Sequence, residues 1–140
     1  MAYLDANVFI YAAAIDSLSD TKTVESQRIL RKVVEGRAKA STSLLTWDEV
    51  VWVCREAMPY QEAILKGNLI LNLPGLNIAE VTIAIVNKAA ELATTYSLKP
   101  RDAIHAATAI INGEKEIITD DSDFDKVKDL RRVSLREASR

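Results

Sequence analysis

Several acids in this chain sit in surroundings that are unusual for charged groups. Asp5 lies between Tyr3-Leu4 and Val8-Phe9-Ile10, and Glu49 is flanked by Trp47, Val50, Val51 and Trp52. Asp102 is followed by Ala103-Ile104 and then Ala106-Ala107, while Asp120 and Asp121 directly follow Ile117-Ile118-Thr119. Charged side chains in apolar settings are seldom buried unless paired or bound to metal. Singly, each acid has an ordinary explanation: Asp5 as a helix cap, Asp102 at a favourable helix N-terminus, Asp120 to Asp125 as a turn, Glu49 on a solvated helix face. Together they form a self-repelling set with no matching lysine, and a divalent cation resolves that repulsion. The sequence holds one His and one Cys, so ligation by oxygen alone selects Mg²⁺ or Mn²⁺ over zinc. Two such ions would activate a water and stabilise the leaving oxygen in phosphodiester hydrolysis.

Other chemistries fit less well. A two-histidine ribonuclease mechanism is excluded because His105 is the only histidine. His105 lies one helical turn after Asp102; a helix residue beside the core is the favoured reading, a position near the site the other. Ser41, Ser43 and Thr46 have no accompanying base for nucleophilic catalysis. Cys54, in Val51-Trp52-Val53-Cys54, reads as a buried structural thiol, and an intrachain disulfide is impossible. Trp47 and Trp52 read as core or dimer contacts in preference to a base-stacking platform. Arg101, beside Asp102, is the best candidate for a phosphate contact. Lys99, Lys126, Lys128, Arg131 and Arg132 accompany it in sequence, with a solvated face as the default reading.

The elements that must position these acids follow from periodicity. Ala2 to Leu4 reads as a strand and Asn7 to Ala14 as a helix. Asp20 to Glu35 carries an apolar stripe at helical spacing, stopped by Gly36. Lys39 to Thr42 reads as a strand, Thr46 to Met58 as a helix, and Pro59 begins another that runs to about Leu73. After the Pro74-Gly75 turn, Leu76 to Val81 is a candidate strand and Thr82 to Tyr96 a strongly periodic helix. Pro100 pre-sets the first turn of a helix over Arg101 to Ile111, closed by Asn112-Gly113. Glu116 to Thr119 is a short strand, Phe124 to Val127 a helical turn and Val133 to Leu135 a last strand, with Arg136 to Arg140 expected to fray. Strands separated by helices imply an α/β fold, a three-layer α/β/α arrangement around a parallel sheet of four or five short strands. Asp5, Glu49, Asp102 and the Asp120-Asp121 pair then converge beyond the C-terminal ends of the strands, where such sheets bind ligands.

The 140 residues, 49% hydrophobic and 27% charged, fit one globular domain over residues 1–140. A net charge of -2 argues against broad phosphate contact, so a nucleic-acid role needs a local basic patch and a metal. The start, Met1-Ala2-Tyr3-Leu4-Asp5, lacks a basic region and is not read as a signal peptide. No apolar run is long enough for a membrane span, and a cytoplasmic location is expected.

Four stretches carry a family resemblance. Leu4-Asp5-Ala6-Asn7-Val8-Phe9-Ile10 resembles the opening motif of PIN domains, an Asp ending the first strand with Asn or Ser two residues on. Ser43 to Val50, with Glu49 ending the pattern, resembles the second motif. Leu98 to Ala109 is similar to the third, and Ile118-Thr119-Asp120-Asp121-Ser122-Asp123-Phe124-Asp125 to the fourth. The motifs occur in family order and span nearly the whole chain. The resemblance, to PIN ribonucleases of the VapC toxin type, implies a metal-dependent endoribonuclease with Asp5, Glu49, Asp102 and Asp121 as ligands. It implies Asp123 as an outer or water-mediated ligand, and Asn7 and Thr119 as supports of the acids. A one-residue shift of the last loop would put Asp120 at the metal in place of Asp121. It further implies an RNA substrate, a homodimer and a small antitoxin partner. A non-catalytic PIN fold that binds RNA or protein is the alternative, disfavoured because all four acidic positions are filled. A receiver-like signalling domain is disfavoured too: its acidic pair, central Asp and late Lys are not at matching places.

Overall fold

The computed structural model describes residues 1–14 and 20–140. Its strands are β1 (Ala2–Leu4), β2 (Ala40–Ser43), β3 (Leu76–Ala79), β4 (Glu116–Ile118) and β5 (Arg131–Val133). They form one five-stranded sheet in the order β3-β2-β1-β4-β5, parallel at every pairing. β1 is therefore central, with Tyr3 opposite Ser41 on one side and Ile117 on the other. The helices are α1 (Ala6–Ala14), α2 (Thr21–Val34), α3 (Leu45–Cys54), α4 (Tyr60–Leu71), α5 (Ile83–Tyr96), α6 (Pro100–Ile111) and α7 (Leu135–Ala138), with a 3₁₀ helix over Ser122–Lys126.

Strand alternation divides the core in two. Leu4, Ile118 and Val133 pack with Val8, Phe9, Ile29, Val33, Val50, Cys54 and Leu135, from α1, α2, α3 and α7. Tyr3 and Ile117 face the other way, into Ile85, Ala89 and Leu92 of α5 and Ala103, Ala106 and Ala107 of α6. This is the three-layer arrangement that the alternation of strands and helices requires.

Local chemistry sets most ends of the elements close to where the sequence places them, although α3 stops at Cys54 where a helix to Met58 was expected. Asp20 caps α2, accepting from the Thr23 N–H, and Gly36 takes a positive φ of 74° just past its end. Thr82 caps α5 in the same way through the Ile85 N–H, and Pro100 opens α6. The chain's end departs from expectation. Residues 136–140 were expected to fray and the last strand to cover Val133 to Leu135. Instead β5 stops at Val133, and α7 begins at Leu135 with Ser134 as its cap, accepting from the Glu137 N–H. Leu135 is fully buried, and Lys32 donates to the Ala138 carbonyl at 3.0 Å. One apolar anchor and a cap order a segment too short to show helical period. Cys54 is wholly buried in the core and burial raises its thiol pKa, as befits a structural residue.

The position of α3 depends on its fit to α4. A Cβ on Gly67 would stand 2.7 Å from Val51 Cγ2 and 2.9 Å from Trp47 Cδ1. Trp47 is itself held by its indole N–H donating to Asn68 Oδ1 at 3.0 Å. Gly67→Ala gains about 1 kcal/mol of helix propensity but incurs about 1–3 kcal/mol of overpacking. We expect a net loss of about 1 kcal/mol in urea unfolding; a stabilised variant would show that α3 and α4 separate freely.

Candidate active site

The carboxyl ends of β1, β2 and β4 deliver the acids to one place. Asp5, Asn7, Glu49, Lys99, Pro100, Arg101, Asp102 and Asp121 line a single open cleft. Asp5 is the most deeply set, 3% exposed. Its N–H continues the sheet by donating to the Ile118 carbonyl at 3.1 Å. One carboxylate oxygen accepts from the Ala6 N–H and the other from the Thr119 hydroxyl, both at 2.8 Å. Thr119 also accepts from the Asp121 N–H at 3.1 Å, so one hydroxyl ties the end of β1 to the loop after β4. Asp121 in turn accepts from the Asp123 N–H at 2.9 Å and starts the 3₁₀ helix.

Asp102 enters from the first turn of α6. One oxygen each of Asp102, Asp121 and Asp123 can lie within 4.8 Å of the others, a spacing suited to one cation. Glu49, from α3, lines the same cleft and accepts from His105 Nε2 at 2.9 Å. Among the described residues no lysine or arginine comes within ion-pair distance of Asp5, Glu49, Asp102 or Asp121. Arg101 pairs with Asp48 at 3.3 Å, and Lys126 with Asp123 at 3.7 Å.

The neighbouring acid is accounted for elsewhere. Asp120 does not line the cleft: it is ion-paired with Lys22 of α2 and accepts from the Leu135 N–H at 2.9 Å. Its burial acts to raise its pKa, but Lys22, the Leu135 N–H and Arg132 outweigh burial and hold it low. Of the two adjacent acids, only Asp121 faces the other carboxylates. The Lys22–Asp120 pair joins residues 98 apart and has no local sequence signal.

The electrostatics are those of an uncompensated cluster. Burial, with a smaller push from Glu49, raises the Asp5 pKa against the opposing pull of His105 and Thr119. Asp102 is pushed up to about 6 by desolvation first, then by the charges of Asp5 and Asp121. The donor set is all carboxylate. The one histidine has both nitrogens engaged and Cys54 lies in the core. These residues fit a hard divalent cation and do not fit a softer one.

His105 is where the reading from sequence was incomplete. It is buried beside the core as expected, yet it also hydrogen-bonds Glu49 and lies 3.9 Å from Asp5. Its spacing from Asp102 was the available signal; Tyr3, its partner at 2.6 Å, gave none. Trp47 is half-buried against the core, whereas Trp52 is 52% exposed with the Arg55 guanidinium stacked on it.

The sequence profile of the PIN domain family matches residues 2–130, and the chain belongs to that family, a family of nucleases. Among solved structures, a toxin–antitoxin complex from Klebsiella pneumoniae contains a chain 26% identical, with a TM-score of 0.66, covering 96% of this chain and 98% of that one. A sarcin–ricin-loop-cleaving VapC toxin of Mycobacterium tuberculosis has a TM-score of 0.72 at 14% identity, covering 91% and 95%. A VapBC complex of Rickettsia felis bound to a promoter DNA fragment gives 0.70 at 17% identity, covering 96% and 98%. No curated protein sequence matches the chain significantly. No helix among the described residues is long and apolar enough to cross a membrane.

The raised Asp102 value fixes the sign of a stability effect. The folded state binds this proton more tightly than the unfolded chain, whose carboxyl stays near the ordinary 3.8. Metal-free stability should therefore fall as pH rises from about 4 to about 6 and stay reduced above that. Asp102→Asn removes the penalty. Because Asp102 is half-buried, we discount for screening and expect a gain of about 1 kcal/mol at pH 7. Urea unfolding in EDTA at pH 4.5 and pH 7 checks this, and a variant destabilised at pH 7 contradicts it.

Proposed function

We propose that the protein is a metal-dependent endoribonuclease, the toxin of a VapBC-type toxin–antitoxin pair. The observation that carries this is the convergence of Asp5, Glu49, Asp102 and Asp121 on one open cleft with no lysine or arginine to neutralise them. These four would hold Mg²⁺ or Mn²⁺, with Asp123 as an outer or water-mediated ligand. When bound, such cations supply charge neutralisation at the phosphate and activation of the attacking water. The chain's own residues supply the rest. Thr119 and the Ala6 N–H fix both oxygens of Asp5, and Asn7 lines the same wall. Lys99 and Arg101 at the cleft edge are the cations placed to meet the RNA backbone. Asp48 holds Arg101 at the rim, where a phosphate can compete for it.

The relatives support the toxin reading, since the solved neighbours include chains of toxin–antitoxin complexes. An antitoxin partner and a homodimer belong to the same proposal, in a soluble, cytoplasmic protein. α3 and α4 carry Val50, Val51, Val53, Leu65, Leu69, Ile70 and Leu71, but only part of this apolar set lies at the surface. Val50, Val51 and Ile70 are buried in the core, which leaves Trp52 of α3 and Tyr60, Leu65 and Leu69 of α4 as the large apolar residues exposed there. A second apolar surface lies on α5, where Ile83 and Val86 are exposed. These two surfaces are available to a second copy and to the antitoxin. In sedimentation at micromolar concentration the isolated chain should have the dimer mass; a monomer mass removes the dimer from the proposal.

The decisive experiment is cleavage of a labelled RNA with analysis of the new ends. Activity should vanish in EDTA and return with Mg²⁺ or Mn²⁺. Asp5→Asn and Asp102→Asn should each lower cutting by roughly a thousandfold or more while leaving the fold intact. The products should carry 5′-phosphate and 3′-hydroxyl ends, because the only histidine is fully buried and cannot relay protons for 2′-hydroxyl attack. Cyclic phosphate ends, or full activity in excess EDTA, overturn the reading.

A further inference from the structure

His105 is the only histidine in the chain and is fully buried. It occupies a helix face otherwise made of small residues, with Ala103, Ala106, Ala107 and Ala109 around it in sequence and all buried. A buried imidazole there costs desolvation that an alanine would avoid, unless both ring nitrogens are satisfied. Both are. Nδ1 lies 2.6 Å from Tyr3 Oη and Nε2 lies 2.9 Å from Glu49 Oε1. A carboxylate only accepts, so Nε2 carries the proton in this contact, and in the neutral ring the Tyr3 hydroxyl donates to Nδ1. Tyr3 is itself fully buried on the central strand, two residues before Asp5, and meets the imidazole edge-on with centroids 5.8 Å apart. The ring is thus clamped between β1 and the body of α6, and its free end grips one of the cleft acids.

Glu49 needs such a grip. Its charge opposes those of Asp5 and Asp102, and its side chain can rotate outward from α3 to escape them. It also stands apart from the trio Asp102, Asp121 and Asp123, whose oxygens already lie close together. Among the described residues Glu49 has no hydrogen-bond partner except His105.

We propose that His105 is the positioning residue for Glu49: its Nε2–H, braced by Tyr3, holds Glu49 turned into the cleft with the second carboxylate oxygen left for the cation. The inference rests on the metal-dependent reading given above. Outer partners of this kind typically contribute 10–100-fold in metal affinity.

A single histidine gives a single set of imidazole ¹⁵N resonances, so the contact can be read directly. In metal-free ¹⁵N-labelled protein the ring should be protonated at Nε2, and Glu49→Gln should shift that resonance. Mg²⁺ should shift it in the wild type. Mn²⁺ affinity, measured by electron paramagnetic resonance, should fall about 10–100-fold in His105→Leu. His105→Gln, whose amide is a donor of similar reach, should keep most of it, and Tyr3→Phe should fall between the two. Cutting by His105→Leu should need more metal yet recover much of its rate at saturation. A folded His105→Leu protein with wild-type Mn²⁺ affinity overturns the proposal. If that variant fails to fold, wild-type affinity in Tyr3→Phe together with an imidazole resonance indifferent to Mg²⁺ overturns it equally. Wild-type protein that binds neither ion overturns the metal reading and this proposal with it. That failure is recognisable because the Glu49→Gln shift would persist.

Discussion

Like charges brought together in a partly dry cleft repel, and the arrangement of this molecule follows from resisting that repulsion. Asp5 has every oxygen held: one by the Ala6 N–H, one by Thr119. Asp121 is fixed through its N–H to the same threonine and through its carboxylate to the 3₁₀ helix. Glu49 is held by the buried histidine. None of these restraints is a lysine or arginine, so the carboxylates are positioned mainly by hydrogen bonds. Hydrogen-bond donors of this kind orient a carboxylate and still leave lone pairs available to a cation.

The parallel sheet supplies the rigidity on which those restraints depend. β1 is bonded on both sides, so its end cannot drift relative to β2 or β4. Layers of helices on both faces exclude water from the strands, and the acids emerge only where the strands stop. The small residues of α6 let that helix lie close to Tyr3, and the close approach is what brings His105 into contact across the edge of the sheet.

Much of this was legible in the residues. Strand–helix alternation gave the three layers, and the Pro100 and Gly36 punctuation gave helix limits accurate to a residue or so. The gathering of Asp5, Glu49, Asp102 and Asp121 followed from placing acids at strand ends, and the cleft does contain all four. Contacts between distant residues were not legible. Nothing local distinguishes Asp120 from Asp121; a lysine on α2 and the amide of Leu135 decide between them. Nothing local makes α7 a helix either, since its order comes from a buried leucine, a serine cap and the distant Lys32 and Asp120 side chains. The close packing of α3 and α4 has no local signal, since it depends on Gly67 having no Cβ to meet Val51 and Trp47.

The strand order has a consequence for how the protein is made. Within the sheet the central strand comes first in sequence, and one of its two neighbours, Glu116–Ile118, comes fourth of the five. Asp5 waits for a hydroxyl 114 residues away, and Asp121 lies two residues beyond that hydroxyl. A nascent chain therefore carries no assembled cleft until synthesis has passed Asp121. Any message cut short before the fourth strand yields a polypeptide that lacks both a sheet neighbour and an acid. Formation of the cleft is thus tied by topology to completion of the fourth strand.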